Sequence, residues 1–461
     1  MRKSIYYIII SVVLLTSCAK EISKPSKGDA DFRRIVAIGA SVTAGASDYS
    51  MFKDGQLNSY PAIIAKQLKL VGMEGEFKLP LFQDNMGVGQ GYDGGGYSTR
   101  FVIEYARDCK GNEILKDVPL GGYYNMTTDL QLLLSYFINI GSQGPFNDCA
   151  VPMAKCYDLV DKTYGSSDAI TSIATGGSTN ANPLFYRFCS DPGNASPLDD
   201  ALKVNATFVI FGPDIAGNDM LVYAIDCNEN STSSMTSYDK FNECITKIVS
   251  ELCKKGALGV IGTVPDVSSI AYFKRYFWND LVLDNQQRVD ALKAKYPGMS
   301  FHIGRNAFVI KDHNGVVRQA QPDDLIPMDL PMDRVKCEGY GAEEPLGDGH
   351  VFEKYGVDLV QQATARYNTR IKELAQQYNL ALFDMNYYFN TWSKGVYIDG
   401  ERFSSDFMTG NLFSLDGIHA TLRGNAVLAN KIIEAINAKY HSTIPPVDIF
   451  KYPTLVFPNR N

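Results

Sequence analysis

Beyond its N-terminal segment, the 461-residue chain has no long apolar run and no surplus of positive charge. Lysine and arginine number 44 against 51 aspartate and glutamate residues, so the formal net charge is -7 and no nucleic-acid partner is expected. The nine cysteines include no Cys-x-x-Cys pair, so no metal centre is expected. The glycine-rich residues 87–97 lack the lysine of a phosphate-binding loop, and no cofactor is expected either.

The N-terminal segment has the layout of an export signal. A basic start is followed by an apolar run that is short for a membrane span and ends in Leu-Thr-Ser-Cys18. This ending resembles a bacterial lipobox, which implies that residues 1–17 are a lipoprotein signal peptide and that Cys18 is lipidated. The alternative is an ordinary cleaved signal. Polar residues 18–30 predict a flexible tether, and the resemblance implies a cell-envelope protein, with the outer membrane favoured and the lipid as its only membrane contact.

Short apolar runs alternate with helical patterns along the rest of the chain. Nearly continuous apolar runs are typical of parallel strands that are covered on both faces. The alternation predicts an open, doubly wound α/β sheet of the flavodoxin-like kind, layered α/β/α. The predicted strands cover 34–39, 169–174, 206–212, 257–264 and 380–386, and the predicted helices cover 59–72, 197–204, 238–255, 351–378 and 421–440.

Two long segments interrupt this alternation, at about 73–166 and 270–350. Both are too long for plain loops in a compact domain. We interpret them as insertions in one domain over residues 31–445, followed by a C-terminal tail over 446–461. Exported proteins keep disulfides, but the cysteine spacing leaves the connectivity open.

The stretch Gly39-Ala40-Ser41 follows the first predicted strand. Ligands of open α/β sheets gather at the carboxyl ends of the strands. A helix that starts there turns free N–H groups and a positive dipole end toward the ligand. The position suits a nucleophile whose intermediate is an oxyanion. Taken alone, a turn or helix-capping serine is the simpler interpretation.

A second pair of polar residues stands just before the last predicted helix. Asp416 and His419 are three residues apart, so on a helical turn they share a face. One element thus supplies an imidazole base and the carboxylate that orients it, with a polar helix cap as the alternative. Histidine is scarce, five in all, and His350 is the nearest rival. Its neighbour Asp348 is two residues away and poorly placed to hold the ring.

The chain order serine, aspartate, histidine resembles that of the SGNH, or GDSL-like, esterase and lipase superfamily, and of its bacterial lipoprotein members in particular. The family's first block, Gly-Asp-Ser-Leu, corresponds to residues 39–42, its third, Gly-x-Asn-Asp, to residues 216–219, and its last, Asp-x-x-His, to residues 416–419. Its second block contributes a glycine after the second strand, which here is Gly176, with Gly177 as the alternative. Ala40 and Ala216 depart from the family pattern.

The resemblance implies a role for each matching residue. Ser41 is the nucleophile, His419 the general base and then acid, and Asp416 the residue that orients it. The oxyanion is held by the backbone N–H groups of Ser41 and Gly176 and by the side-chain amide of Asn218.

The resemblance further implies a serine hydrolase that cleaves carboxylic esters through an acyl-enzyme. Acyl or acetyl esters of a lipid or a carbohydrate are the expected small-molecule substrates. One alternative is a glycan- or lipid-binding surface lipoprotein without turnover, favoured only by Ala40, Ala216 and the aromatic-rich first insertion. Another is an O-acyltransferase with the same triad, since only the acceptor differs.

Overall fold

The computed structural model describes residues 24–90, 96–228 and 235–459. Cys18 and the apolar run before it lie outside the described residues. Within these three ranges, no helix combines the length and the apolar character that crossing a membrane requires.

Strands and helices alternate in the core and cluster in the insertions. The strands are β1 Ile35–Ile38, β2 Gly89–Gln90, β3 Tyr97–Ser98, β4 Phe101–Arg107, β5 Glu113–Pro119, β6 Phe208–Phe211, β7 Leu258–Gly262, β8 Leu281–Leu283, β9 Gly304–Asn306, β10 Val309–Lys311, β11 Val317–Gln319, β12 Ala381–Phe383, β13 Val396–Ile398 and β14 Glu401–Phe403. The helices are α1 Ser41–Ala44, α2 Lys53–Leu57, α3 Tyr60–Leu68, α4 Leu130–Tyr136, α5 Asp168–Thr175, α6 Pro183–Tyr186, α7 Pro197–Lys203, α8 Asn218–Asp226, α9 Tyr238–Cys253, α10 Gln286–Lys295, α11 Met332–Cys337, α12 Lys354–Gln377, α13 Met385–Trp392 and α14 Leu422–Tyr440.

The central sheet has four parallel strands in the order β1-β6-β7-β12. Its register pairs Ile35 with Phe208 and Phe211 with Ile261, so the carboxyl ends of the strands meet at one edge. Every residue of β1 and β6 is buried, as is typical of a parallel sheet that is flanked by helices. Four of the five predicted strands are therefore confirmed.

The predicted strand at 169–174 is wrong, because these residues belong to helix α5. Only Ala169 and Ile173 are buried there, four residues apart, which is the spacing of one helix face. The place beside β1 is taken by the extended residues 147–151. The Ala37 N–H donates to the Asn147 carbonyl at 2.8 Å, and the Cys149 N–H donates to the Ala37 carbonyl at 2.9 Å.

The helices that flank the sheet fall into two sets by their contacts. Helix α14 packs on α3 and on strands β7 and β12. Helix α12 packs on the same two strands and on α9, while α7 contacts β1 and α9. All five predicted helices are confirmed to within a few residues, α3 continuing in a short 3-10 turn to Val71.

The two insertions are linked to one another. Strands β4 and β5 form a long hairpin in the first insertion. The disulfide Cys109–Cys337 joins this hairpin to helix α11 of the second insertion. A salt bridge of 2.8 Å between Arg275 and Asp117 adds a second connection. The second insertion also has a hydrophobic core of its own, formed by residues between 281 and 351.

The segment predicted as a tether is docked on the domain where the structure describes it. The Thr443 hydroxyl donates to the Lys24 carbonyl at 2.7 Å. The Asp29 N–H donates to the Tyr440 carbonyl at 2.8 Å, and Ala30 is buried. These residues therefore lie along the end of α14. The predicted tail also packs on α14, with Ile449 buried and the Arg423 side chain donating to the Tyr452 carbonyl.

Candidate active site

Ser41 is the first residue of helix α1, directly after β1, and only 8% of its surface is exposed. Ala40, at the N-cap position, has no side chain that can accept from the helix N–H groups. Asp214 does so instead, because its Oδ2 accepts the N–H of Ala40 at 3.1 Å and that of Thr43 at 2.9 Å. Among the described residues, the N–H groups of Ser41 and Val42 have no hydrogen-bond partner. The N–H of Ser41 is therefore available to a developing oxyanion.

Asp214 belongs to a buried polar cluster behind the serine. The Thr43 hydroxyl donates to Asp214 Oδ1 and lies 2.8 Å from the Tyr60 hydroxyl. A Cβ atom at Gly39 would lie 2.7 Å from Asp214 Oδ1, so only glycine fits between strand and cluster. Burial raises the pKa of Asp214, although its hydrogen bonds to Thr43 and to backbone N–H groups oppose this.

The structure brings Asp416 and His419 together, in a loop rather than on a helical turn. Asp416 Oδ2 lies 2.8 Å from His419 Nδ1. Its Oδ1 accepts the N–H groups of Ile418 at 2.9 Å and His419 at 2.7 Å, and Oδ2 also accepts the N–H of Tyr49 at 2.9 Å. The carboxylate is fully buried, and its hydrogen bonds fix the plane in which the imidazole is held.

The two groups stabilise one another's charge. Burial lowers the pKa of His419, but the charge and hydrogen bond of Asp416 outweigh burial and raise it above the ordinary value. Burial raises the pKa of Asp416, but His419 and the donated N–H groups outweigh burial and lower it. His419 Nε2 is buried and has no hydrogen-bond partner within the described ranges. The ring therefore has one nitrogen held and one free, as a general base needs.

Asn218 is the first residue of α8, after β6, and is 7% exposed. Its Nδ2 donates to the Ala154 carbonyl at 3.0 Å. One amide hydrogen thus fixes the side chain, and the second remains for a ligand. Asp219 beside it accepts the Cys156 N–H at 2.8 Å, so residues 154–156 are tied to the start of α8.

Gly176 does not hold the place that was predicted for it. It ends helix α5 with a φ of 69°, is exposed, and is not among the residues that line the cavity containing Ser41 and Asn218. The prediction rested on a second strand at 169–174, which is absent there. The loop that does follow the extended segment 147–151 contains Met153, which has a φ of 68°, the backbone region that favours glycine.

Ser41, Asn218 and the neighbours of His419 share one cavity. It encloses about 740 Å³ including its mouth, and Ile418 and Ala420 line it on either side of the histidine. Ser41 Oγ and His419 Nε2 are not hydrogen-bonded to one another in this structure, and such bonds commonly tighten only with substrate. Ser41 and Asn218, which follow the carboxyl ends of β1 and β6, therefore line one cavity with the two chain neighbours of His419.

The rival His350 lies in the second insertion. Its Nδ1 is 2.7 Å from the Tyr340 hydroxyl, and burial lowers its pKa. No carboxylate accepts a hydrogen bond from its ring among the residues described. Across those same residues, no group of three or more His, Cys, Asp or Glu side chains is arranged to hold a metal ion.

Sequence reasoning missed Asp214 and the turn at Asp48 and Tyr49. Asp214 stands two residues after the predicted strand 206–212, at the edge where the site is expected, and this position is the signal that could have identified it. Asp48 and Tyr49 both have positive φ, at 49° and 64°. Their backbone N–H groups reach Ser414 and Asp416, and burial raises the pKa of Asp48 to about 7.

Three comparisons were made, with protein-family models, with curated proteins and with solved structures, and none of them finds a match to this chain.

Proposed function

We propose that this protein is a serine hydrolase of the SGNH type that cleaves carboxylic esters through an acyl-enzyme. The observation that carries the proposal is the His419 ring, held at Nδ1 by buried Asp416 and free at Nε2, between Ile418 and Ala420, which line the same cavity as Ser41. Ser41 stands at a strand end and a helix start, the position at which this type of fold presents a nucleophile.

The fold supports the same assignment. When residues 147–151 are counted as the second strand, the spatial order of strands is 2-1-3-4-5, that of flavodoxin-like doubly wound sheets. The layered, doubly wound architecture is part of the proposal. So is a lipid-anchored location in the bacterial cell envelope, which rests on the Leu-Thr-Ser-Cys18 sequence.

In the proposed reaction, Ser41 Oγ attacks the ester carbonyl carbon while His419 Nε2 takes the hydroxyl proton. Asp416 keeps the Nδ1 proton pointing at itself and stabilises the imidazolium. The oxyanion accepts from the Ser41 N–H and from the second Asn218 amide hydrogen. The imidazolium then protonates the leaving alcohol, and a water activated by His419 releases the acid and frees the serine.

The test is the hydrolysis of p-nitrophenyl esters by single and double variants. Ser41→Ala and His419→Ala should each lower kcat by roughly 10³–10⁶, because either change removes the unit that activates the nucleophile. The double variant should be little worse than either single variant for the same reason. Asp416→Asn should cost less, since it orients the base without transferring a proton.

His350→Ala is the matched control and should leave kcat within roughly tenfold, because its ring contacts no catalytic group. If His350→Ala abolished hydrolysis while His419→Ala spared it, the proposed triad would be wrong. Wild-type protein that hydrolyses no ester would favour the non-catalytic binding alternative. Transfer of the acyl group to an added alcohol in preference to water would indicate an acyltransferase.

A further inference from the structure

The cavity beside Ser41 is almost entirely apolar. Aliphatic and aromatic side chains form its walls, and the polar side chains among its lining residues, those of Ser41, Asp214 and Asn218, all belong to the site described above. The space of about 740 Å³ at this cavity includes open solvent at its mouth. Such a cavity favours an occupant with an ester group at one end and a hydrocarbon chain along the rest of its length.

The cavity extends across the whole carboxyl edge of the sheet. Val42 lines it after β1, Pro213 after β6, Val267 after β7 and Met385 after β12. Neighbouring strands are about 4.8 Å apart, so three spacings give a length of about 14 Å. Ser41 lies at the β1 end, and at the β12 end the cavity is lined by Phe389 and Trp392 of α13, whose ring centroids are 6.1 Å apart.

We infer that this cavity is an acyl-chain pocket, and that the substrate is an ester of a medium- or long-chain fatty acid. The inference rests on the proposed function and names the acid half of the ester. With the acyl carbonyl at Ser41, the hydrocarbon chain lies across the strand ends toward α13. An acetyl group would leave the cavity unfilled, and a sugar would lose the hydrogen bonds of its hydroxyl groups against apolar walls.

The first measurement uses the wild-type protein with p-nitrophenyl acetate, butyrate, octanoate and dodecanoate, each below its micelle concentration. Every methylene that enters the cavity adds apolar contact, worth up to about fourfold in kcat/KM. The kcat/KM for the octanoate should therefore exceed that for the acetate by at least about tenfold. Faster hydrolysis of the acetate than of the octanoate would overturn the acyl-chain pocket but not the proposed ester hydrolysis. Protein that cleaves none of these esters would overturn the proposed function and the pocket with it.

The second measurement fills the cavity. Val267 is 3% exposed and lines its middle, so Val267→Trp should shorten the usable length. The turnover of octanoate and dodecanoate relative to that of acetate should fall at least about tenfold, while the circular dichroism spectrum, which reports folding, should match that of wild type. The matched control is Val282→Trp at a residue 58% exposed in β8, which should change neither. Equal turnover of octanoate by Val267→Trp and wild type would contradict the inference.

Discussion

Asp214 compensates for the alanine at position 40. The helix that carries Ser41 begins at a residue with no capping side chain, and its cap comes from a carboxylate 174 residues further along the chain. Two N–H groups and one hydroxyl group donate to that carboxylate. Because Asp214 occupies the N–H groups of Ala40 and Thr43, the N–H of Ser41 between them is left for a substrate oxygen.

The charge of Asp214 also acts on His419, the proposed catalytic base. Three carboxylates raise the pKa of His419 against the effect of burial, namely Asp416, Asp214 and Asp48. The base works only when the ring is neutral, so activity should fall as the pH drops through this raised pKa. The acidic limb of the kcat/KM profile is therefore expected above the ordinary histidine value of about 6.5.

Replacing Asp214 by asparagine separates this charge from the hydrogen bonds. The amide oxygen can accept both backbone N–H groups, and the NH₂ can donate to the Thr43 hydroxyl, so the helix start is preserved. Without the negative charge, His419 should hold its proton less tightly. In Asp214→Asn the acidic limb should move to lower pH, with the plateau rate within about tenfold of wild type, as a pH–rate profile would measure.

Two further variants test this argument. Asp214→Ala leaves two buried N–H groups without an acceptor, at about 1–3 kcal/mol each, and should displace Ser41 and lower kcat by at least about a hundredfold. Asp312→Asn, in the turn between β10 and β11, is the control and should change neither rate nor profile. A wild-type kcat in Asp214→Ala would show that the carboxylate does not position the serine.

At the scale of elements, the sequence predicted best what is most regular. Four parallel strands and five flanking helices have continuous apolar runs or a clear helical period, and the structure has them. The strand position beside β1 was missed because residues 147–151 are Asn-Asp-Cys-Ala-Val, in which two polar residues interrupt the pattern. Asn147 makes a long-range contact, because its side chain donates to the Ile35 carbonyl at 2.7 Å.

The candidate site likewise divides into residues that belong to local motifs and residues that are placed by long-range contacts. Ser41, Asp416 and His419 could be proposed from the sequence because their motifs are short and local. Gly176 was misplaced because its role depended on which segment pairs with β1, and that is decided by long-range packing. Asp214 was missed because its partners lie far away in the chain, and no local pattern records such a contact.

The disulfide Cys109–Cys337 is predicted to stabilise the two insertions, because it closes a loop of 228 residues between hairpin β4–β5 and helix α11. Replacing both cysteines by serine removes the cross-link that restricts the conformations of the unfolded chain. The free energy of unfolding should therefore fall by about 2–5 kcal/mol. Guanidinium unfolding measures this change. The kcat should stay close to wild type, since neither cysteine lies at the cavity.

Reduction provides the control for that experiment. Dithiothreitol should lower the stability of wild-type protein to that of the double variant and leave the double variant unchanged. The six remaining cysteines that the structure describes are free and buried, so they add no second reducible bond in those ranges. Equal unfolding midpoints for oxidised wild type and double variant would contradict the stabilising role.

At the scale of the whole molecule, the docked N-terminal segment limits how far the domain can stand from its anchor. Lys24 is held by Thr443 and is six residue steps from Cys18, with five residues between them. Six extended residues span about 20 Å. If Cys18 is lipidated, the domain is held against the membrane surface, where an ester with a long hydrocarbon chain is concentrated.

Cys18→Ala is the variant that tests this arrangement. The proposed lipidation requires the Cys18 thiol, so the variant should lose fatty-acid labelling and either appear in the soluble fraction or keep its signal segment. Wild-type protein should label with a radioactive fatty acid and stay with membranes through a high-salt wash, because several acyl chains bind a bilayer far more firmly than one.

The candidate active site is unaltered in this variant, so released Cys18→Ala protein should hydrolyse dissolved p-nitrophenyl octanoate at the wild-type rate. Wild-type protein that washes off with salt and takes up no fatty acid would contradict the lipid anchor without affecting the proposed ester hydrolysis.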